Sequence, residues 1–422
     1  VTLISCGRCV NPATIALLNY FTLYWHQFFL AITTTFTELN TVMPAMIIEA
    51  GGDEFSVGLL TAIMVGLPLI SQLLFAGFLH TRPRKKPFLL LAINLRVLAL
   101  VMAAVSLAIG SERLVITLIF LSMALFAVSG AFAGVSYTDI IGSIVARDKR
   151  RRFFVTKQVV FSVGVLLSAI VTRFLLAARS FPDGYVLLFG MAAAFLLVAS
   201  LGFWALDVPE RKPTNNLPQT VSLLETYRQV PAVLRGDKNL RHLVLASNLA
   251  APALTSLPFI MALAHRTYAV DGATVGYLVL LQIAGMLLSS KIWSRLISAR
   301  GFRSVLVSMG LVAGIALPAA LVLHRVAPLW VYALLFPLMG AVDSARRVGV
   351  ESVLIEVAPP DRRALYTGIY GALNLAMAFI PLFSGVLIRR FGFTGVLIAA
   401  SVFALLSATQ FRKLHCEGTS PG

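Results

Sequence analysis

The chain has 422 residues, 58% of them hydrophobic and 13% charged, with a mean hydropathy of +0.87. Soluble domains average roughly 45–50% apolar and about 25% charged, so a soluble globular protein is excluded, and the recurrence of apolar blocks along the whole length also excludes a soluble domain with one anchor. The 35 Lys and Arg against 18 Asp and Glu give +17, a balance that in a soluble chain points to nucleic acid but in a membrane chain takes its meaning from where each base sits.

Apolar runs of about 20 residues, long enough to cross a hydrocarbon core about 30 Å thick, recur without the alternation of barrel strands. The expected fold is therefore all-α and integral to the membrane, with twelve transmembrane helices at 15–48, 56–78, 87–109, 114–140, 155–177, 185–206, 241–264, 274–293, 303–323, 329–355, 364–387 and 393–411. Val1 to Pro12 lacks the charged start of a cleavable signal peptide, so the first helix itself is expected to direct insertion. With twelve helices both termini share a side. Placing that side in the cytoplasm puts 24 of the 35 bases in cytoplasmic segments and six opposite, which is the positive-inside pattern and accounts for most of the charge without nucleic acid.

The connection at 207–240 alone has soluble-like composition, and it divides a six-helix bundle at 1–206 from a second at 241–422. Within it Ser222 to Leu234 is predicted to form an amphipathic helix at the membrane surface, broken at Gly236 to Asn239 before the seventh segment. The two bundles repeat each other. Ser56-Val57-Gly58 opens segment two as Thr274-Val275-Gly276 opens segment eight; Thr41 and Pro44 precede the first as Thr255 and Pro258 precede the second. Asp148-Lys149-Arg150-Arg151-Arg152 follows segment four as Pro360-Asp361-Arg362-Arg363 follows segment ten.

Parallel six-helix repeats resemble the architecture of the major facilitator superfamily. Gly77-Phe78-Leu79-His80-Thr81-Arg82-Pro83-Arg84-Lys85-Lys86 looks like that superfamily's loop signature, Gly-x-Leu-x-Asp-Arg-x-Gly-Arg-basic. Thr81 stands in place of the usual Asp and Arg84 in place of Gly, so the charge-relay role of that Asp is not carried over. Segment five, with Phe161-Ser162-Val163-Gly164, lacks the glycine-proline motif of the antiporter branch, which weighs against proton-driven drug export. The stretch Thr37 to Pro44, followed by Gly51-Gly52, is also weakly similar to magnetosome-associated members, and that similarity implies iron supply.

The resemblance implies that segments one, four, seven and ten line a central cavity. On segment one Tyr20, Tyr24, Gln27, Ala31, Thr34, Glu38, Thr41 and Ala45 follow the spacing of one helix face. Glu38, ten residues from the segment's end, is expected about 15 Å deep, where an unpaired carboxylate is costly. It is a candidate proton carrier or cation ligand, or else a structural ion pair with Arg96, Arg346 or Arg347. Segment ten carries Asp343, Arg347 and Glu351 on one face, with Arg346 about 100° away, so mutual neutralisation competes with a coupling role for Asp343. Asp139 and Glu351 are near-equivalent in the repeat and are expected to hold the loop bases and close the cytoplasmic side, together with the signature residues Gly77, Arg82, Lys85 and Lys86. Asn248, Thr255, Ser136 and Tyr137 are candidate substrate contacts, although helix-helix hydrogen bonds explain such residues equally well. Cys6 and Cys9, with His415 and Cys416 on the same predicted side, form a candidate Cys3His metal set, against free thiols in a reducing compartment.

The function expected is secondary transport of a small solute by alternating access, coupled to protons, in a bacterial-type cytoplasmic membrane or one derived from it such as a magnetosome. An iron transporter of the magnetosome-like branch is the first alternative, and a non-transporting sensor or scaffold on the same fold the second. No phosphate loop or H-E-x-x-H pair is found, so neither a pump nor a membrane enzyme is expected. No cofactor is implied; the expected partners are the solute, protons and lipid, with the chain a monomer. The acids Glu38 and Asp343 suit a cation or a proton-coupled neutral solute, whereas Arg96, Arg346 and Arg347 suit an anion where free of a partner.

Overall fold

The computed structural model describes residues 12–80, 85–109, 112–145, 150–204, 206, 223–357, 366, 369–371 and 373–414. Among them the chain is helical: α1 (Pro12–Phe36), α2 (Val42–Glu49), α3 (Glu54–His80), α4 (Lys86–Ile109), α5 (Glu112–Ile144), α6 (Arg150–Ala178) and α7 (Asp183–Trp204) form the first half. The second comprises α8 (Leu223–Gly236), α9 (Lys238–Leu254), α10 (Leu257–Thr267), α11 (Gly272–Arg300), α12 (Phe302–Val326), α13 (Leu329–Tyr332), α14 (Leu335–Val357), a 3-10 turn (Leu375–Ala378), α15 (Ile380–Phe391) and α16 (Phe393–Phe411). Nine helical stretches among the described residues are long and apolar enough to cross a membrane. Phe174, Ile315 and Phe391, each 66–71% exposed, would be untenable in water at this density of apolar surface and belong against lipid.

Several expected segments are broken. Segments one and seven, read as single helices over 15–48 and 241–264, each divide in two, at 37–41 and at Thr255-Ser256. Segments ten and eleven are likewise interrupted, by the turn before Leu335 and by the 3-10 turn at Leu375. Physical causes are visible at the first two. Pro44 lacks an N–H and its ring crowds the carbonyl four residues earlier, at Asn40, and Pro258 does the same toward Leu254. Upstream, hydroxyls bond back to the ladder: Thr35 and Thr37 donate to Ala31 and Thr33 carbonyls at 3.0 and 2.9 Å, and Ser256 donates to the Pro252 carbonyl at 2.6 Å.

Within the first half α1 packs on α6 and α7, α4 on α5 and α7, and α3 on α5; within the second, α11 packs on α14 and α12 on α16 and α14. The halves meet through α3 with α15, α6 with α11, and α2 with α10. All three contacts approach the end of the bundle that carries the 50–53, 179–182 and 268–271 loops, called the closed end below.

Two helices start at that end with the same device. Asp53 accepts bonds from the Ser56 N–H and hydroxyl, both 2.9 Å, and Asp271 accepts from the Thr274 N–H and hydroxyl at 2.9 and 2.7 Å. Each satisfies a donor that a helix N-terminus leaves orphaned. The Thr274 hydroxyl and N–H hold the Asp271 carboxyl below its ordinary value. A depressed carboxylate stabilises above its unfolded pKa and loses that contribution as pH falls through the folded value, so the contribution is expected to fade below about pH 4. Asp271→Ala is therefore expected to cost about 1 kcal/mol near neutral pH, as N-cap losses do, and less in acid; thermal unfolding of the detergent-solubilised chain across pH measures both.

Candidate functional site: a helix break, a buried basic cluster and a closed end

Glu38 lies in the break between α1 and α2, where the chain is no longer helical. One of its oxygens accepts three bonds, from the Asn40 N–H at 3.2 Å, the Asn40 amide at 2.8 Å and the Gln282 amide on α11 at 2.9 Å. The last crosses from one half of the chain to the other. Among the described residues Glu38 forms no ion pair with Arg96, Arg346 or Arg347, and the last two are paired with Asp343. Two further polar atoms, the hydroxyl of Thr41 in the same break and the carbonyl oxygen of the Gln282 amide that reaches it, are buried without a hydrogen-bond partner among the described residues.

The break also corrects the polar stripe. A face running from Tyr20 to Ala45 needs one continuous helix, and Thr41 and Ala45 follow the break instead of continuing α1. Gln27 stays on α1 and is 8% exposed, while the Thr34 hydroxyl is spent on the Ala31 carbonyl of its own helix at 2.9 Å. The Asn248 amide bonds the Val244 carbonyl of its own helix at 2.9 Å, and Thr255 bonds the Ala251 carbonyl at 3.0 Å.

Asp343 sits on α14 between two arginines, 3.1 Å from Arg346 and 2.8 Å from Arg347, so the mutual neutralisation read as one alternative is the arrangement present. Lys86 of the signature loop donates to the Trp204 and Leu206 carbonyls at 2.9 and 2.8 Å, tying the start of α4 to the end of α7. Lys85 lies just before α4. Gly77, Asp139 and Glu351 lie on α3, α5 and α14 respectively. Arg82, Cys6, Cys9, His415 and Cys416 lie outside the described residues. Among those described, no group of three or more His, Cys, Asp or Glu side chains gathers as metal ligands would.

A second cluster was not foreseen as a unit. His26 on α1 packs against Tyr137 on α5 and Phe203 on α7, with ring centroids 5.5 and 4.3 Å apart. The Lys157 ammonium on α6 stands 4.9 Å from the Tyr137 ring centre, and both Lys157 and Arg96 of α4 lie within electrostatic reach of His26. The Arg96 guanidinium lies 4.2 Å from the Phe126 ring centre, in the space left by Gly130, where a Cβ would come 3.3 Å from its Nε. Arg96 Nε and the Tyr137 hydroxyl are buried with no hydrogen-bond partner among the described residues. A charge at the bilayer centre costs about 2.5–3.5 kcal/mol on insertion scales, so such groups are retained for a reason.

The closed end is held by charge and by close backbone approach. Arg266 at the end of α10 pairs with Glu54 at the start of α3, its Nη2 2.8 Å from Oε2, and Arg389 of α15 pairs with Asp53 at 3.1 Å. Glu54 is 4% exposed. Below them Gly58 of α3 meets Pro381 and Gly385 of α15, and Gly276 of α11 meets Arg173 of α6, so a side chain at either glycine would collide with the backbone of the facing helix. Gly58 and Gly276 are the repeat pair of the sequence. The Asp-x-x-Ser/Thr capping signal ahead of each glycine was present in the sequence and would have located these helix starts; the pairing of Glu54 and Asp53 with arginines of the other half has no such local signal.

Residues 243–414 match the Major Facilitator Superfamily. No curated protein matches the chain in sequence. Among solved structures, a bacterial homologue of the iron transporter ferroportin in an inward-facing state superposes with a TM-score of 0.70 at 14% identity, over 96% of this chain and 99% of that one. The nucleoside transporter NupG gives 0.68 at 14% identity, over 95% and 99%, and the peptide transporter POT 0.69 at 16%, over 96% and 98%. These likenesses show that nearly the entire chain shares its fold with these three proteins.

Proposed function

We propose that this chain is a facilitator of the Major Facilitator Superfamily, a secondary transporter that carries a small solute by rocking its two helical halves, with Glu38 coupling the movement to a proton. The hydrogen bond from Gln282 to Glu38 carries the reading, because it joins the halves at a point where the backbone itself is broken. A bond to an ionised acceptor contributes about 1.5–3 kcal/mol and one between neutral groups about 0.5–1.5 kcal/mol. Protonating Glu38 therefore loosens the link between halves, and the sign of the coupling follows: the proton favours separation at the closed end. The distribution of bases supports a closed end that faces away from the cytoplasm, so that the described conformation opens inward and both termini are cytoplasmic. Domains at 1–206 and 241–422 joined by 207–240 are part of the same reading.

Iron transport is the second reading, supported by the fold it shares with the ferroportin homologue. Both are tested together in proteoliposomes, with ferrous iron and succinate as trial solutes and an imposed proton gradient. Gradient-driven uptake is expected in the wild type and a loss of about tenfold or more in Glu38→Gln, the scale of a lost charge-assisted bond. Uptake that keeps its gradient dependence in the variant would remove Glu38 from the mechanism, and movement of ferrous iron alone would favour the second reading.

A further inference from the structure

We propose that the first half of the chain holds a binding site for a small organic anion, a carboxylate or a phosphate, formed by Arg96, Lys157, Tyr137 and His26. The inference deepens the transporter reading and rests on it, since it names the class of solute.

Four helices contribute one residue each. Counting 1.5 Å per residue from the ends that face away from the closed end, Arg96 lies about 15 Å along α4, and Tyr137 and Lys157 each about 10 Å along α5 and α6, so these three lie near one level of the bundle, and His26 packs on the Tyr137 ring. Their chemistry is one-sided. Arg96 and Lys157 have no acidic partner among the described residues, unlike Arg346 and Arg347, which Asp343 occupies. Asp139 stands two positions after Tyr137, about 200° around α5 from it.

Donors are also left over. Arg96 Nε and the Tyr137 hydroxyl are buried and make no hydrogen bond among the described residues, although nearly all buried polar groups in folded proteins do. The Phe126 ring under the guanidinium satisfies its face and leaves its edge donors open. A carboxylate or phosphate supplies what is missing: two or more acceptor oxygens, planar or tetrahedral, that take the guanidinium edge and the phenol together while their charge offsets Arg96 and Lys157. An anionic lipid headgroup has the same chemistry, so the source is decided by experiment.

The test measures binding directly, on the full chain. Sodium succinate and sodium phosphate are added to protein in nanodiscs, against sodium chloride at equal ionic strength, and thermal stabilisation is titrated to saturation. Saturable stabilisation by at least one of the two is expected in phosphatidylcholine discs, with the apparent Kd raised about tenfold or more in Arg96→Gln. Tyr137→Phe keeps the ring contacts and removes only the hydroxyl, and is expected to weaken binding about fivefold; it guards against a misfolded arginine variant. If phosphatidylglycerol discs compete the soluble anion away, the occupant is a lipid headgroup in the same site. No saturable stabilisation of the folded wild type above chloride, or binding undiminished in both variants, overturns the proposal. Anion binding without any flux would keep this site and refute the transporter reading, whereas cation flux without anion binding would do the reverse.

Discussion

Replacing Gly58 with leucine is expected to abolish transport and leave the closed end open. The reason is local and geometric: a Cβ at Gly58 falls on the Pro381 carbonyl and beside the Gly385 Cα, backbone atoms that cannot swing aside as a side-chain tip can. Two helices that cross at this distance must separate to admit four extra carbons. Overpacking of a tight contact costs about 1–3 kcal/mol, and because the cost falls only on the conformation in which α3 and α15 touch, it moves the balance between conformations by about 5- to 150-fold. The ends of the bundle away from this crossing carry no penalty, so insertion and helix content should be retained. Hydrogen exchange reads the outcome without knowledge of the solute: amides of α2 and α10, buried at the closed end, are expected to exchange faster in Gly58→Leu, with Gly58→Ala intermediate. Unchanged exchange and unchanged uptake would mean that the crossing does not separate during the cycle.

The parts of this architecture that follow from local pattern were legible. Segment two was expected at 56–78 and forms α3 at Glu54–His80, and segment twelve coincides with α16, because long apolar runs in a bilayer have few alternatives to a helix. The pairing of Asp343 with Arg346 and Arg347 was equally accessible, since residues three and four apart on a helix are neighbours. The breaks at Glu38 and Thr255 are not fixed by the sequence pattern, although Pro44 and Pro258 are repeat partners in it. A proline in a membrane helix is compatible with a kink as well as a break, and the choice between them lies with neighbouring helices that can re-satisfy the freed backbone.

The site was less legible for a further reason. Glu38 and Gln282 are 244 positions apart, so nothing in the sequence around either announces the other. Whether a membrane cation such as Arg96 is paired depends on which acids the fold brings to it, and that question separated the cation and anion readings of this chain. Charge composition alone left both open. Only the placement of Asp343 on its own helix, and of Phe126 and Gly130 around Arg96, distinguishes arginines that are occupied from one that is not.

Locking the closed end is the second large effect expected, and it tests alternating access most directly. Arg389 and Asp53 come from different halves and meet at 3.1 Å, so cysteines at the two positions, with Cys6, Cys9 and Cys416 replaced by serine, are within reach of a short bifunctional methanethiosulfonate. The bridge replaces an exposed ion pair, worth about 0.2–1 kcal/mol and able to part in every cycle, with a covalent link that cannot part until reduced. Uptake in proteoliposomes and hydrogen exchange over α2 and α10 are then measured before bridging, after bridging, and after dithiothreitol. The account predicts that bridging abolishes uptake and slows exchange at the closed end, and that reduction restores both. Bridged protein that transports and exchanges like the reduced form would contradict it, because the halves would then carry solute without separating where they are joined.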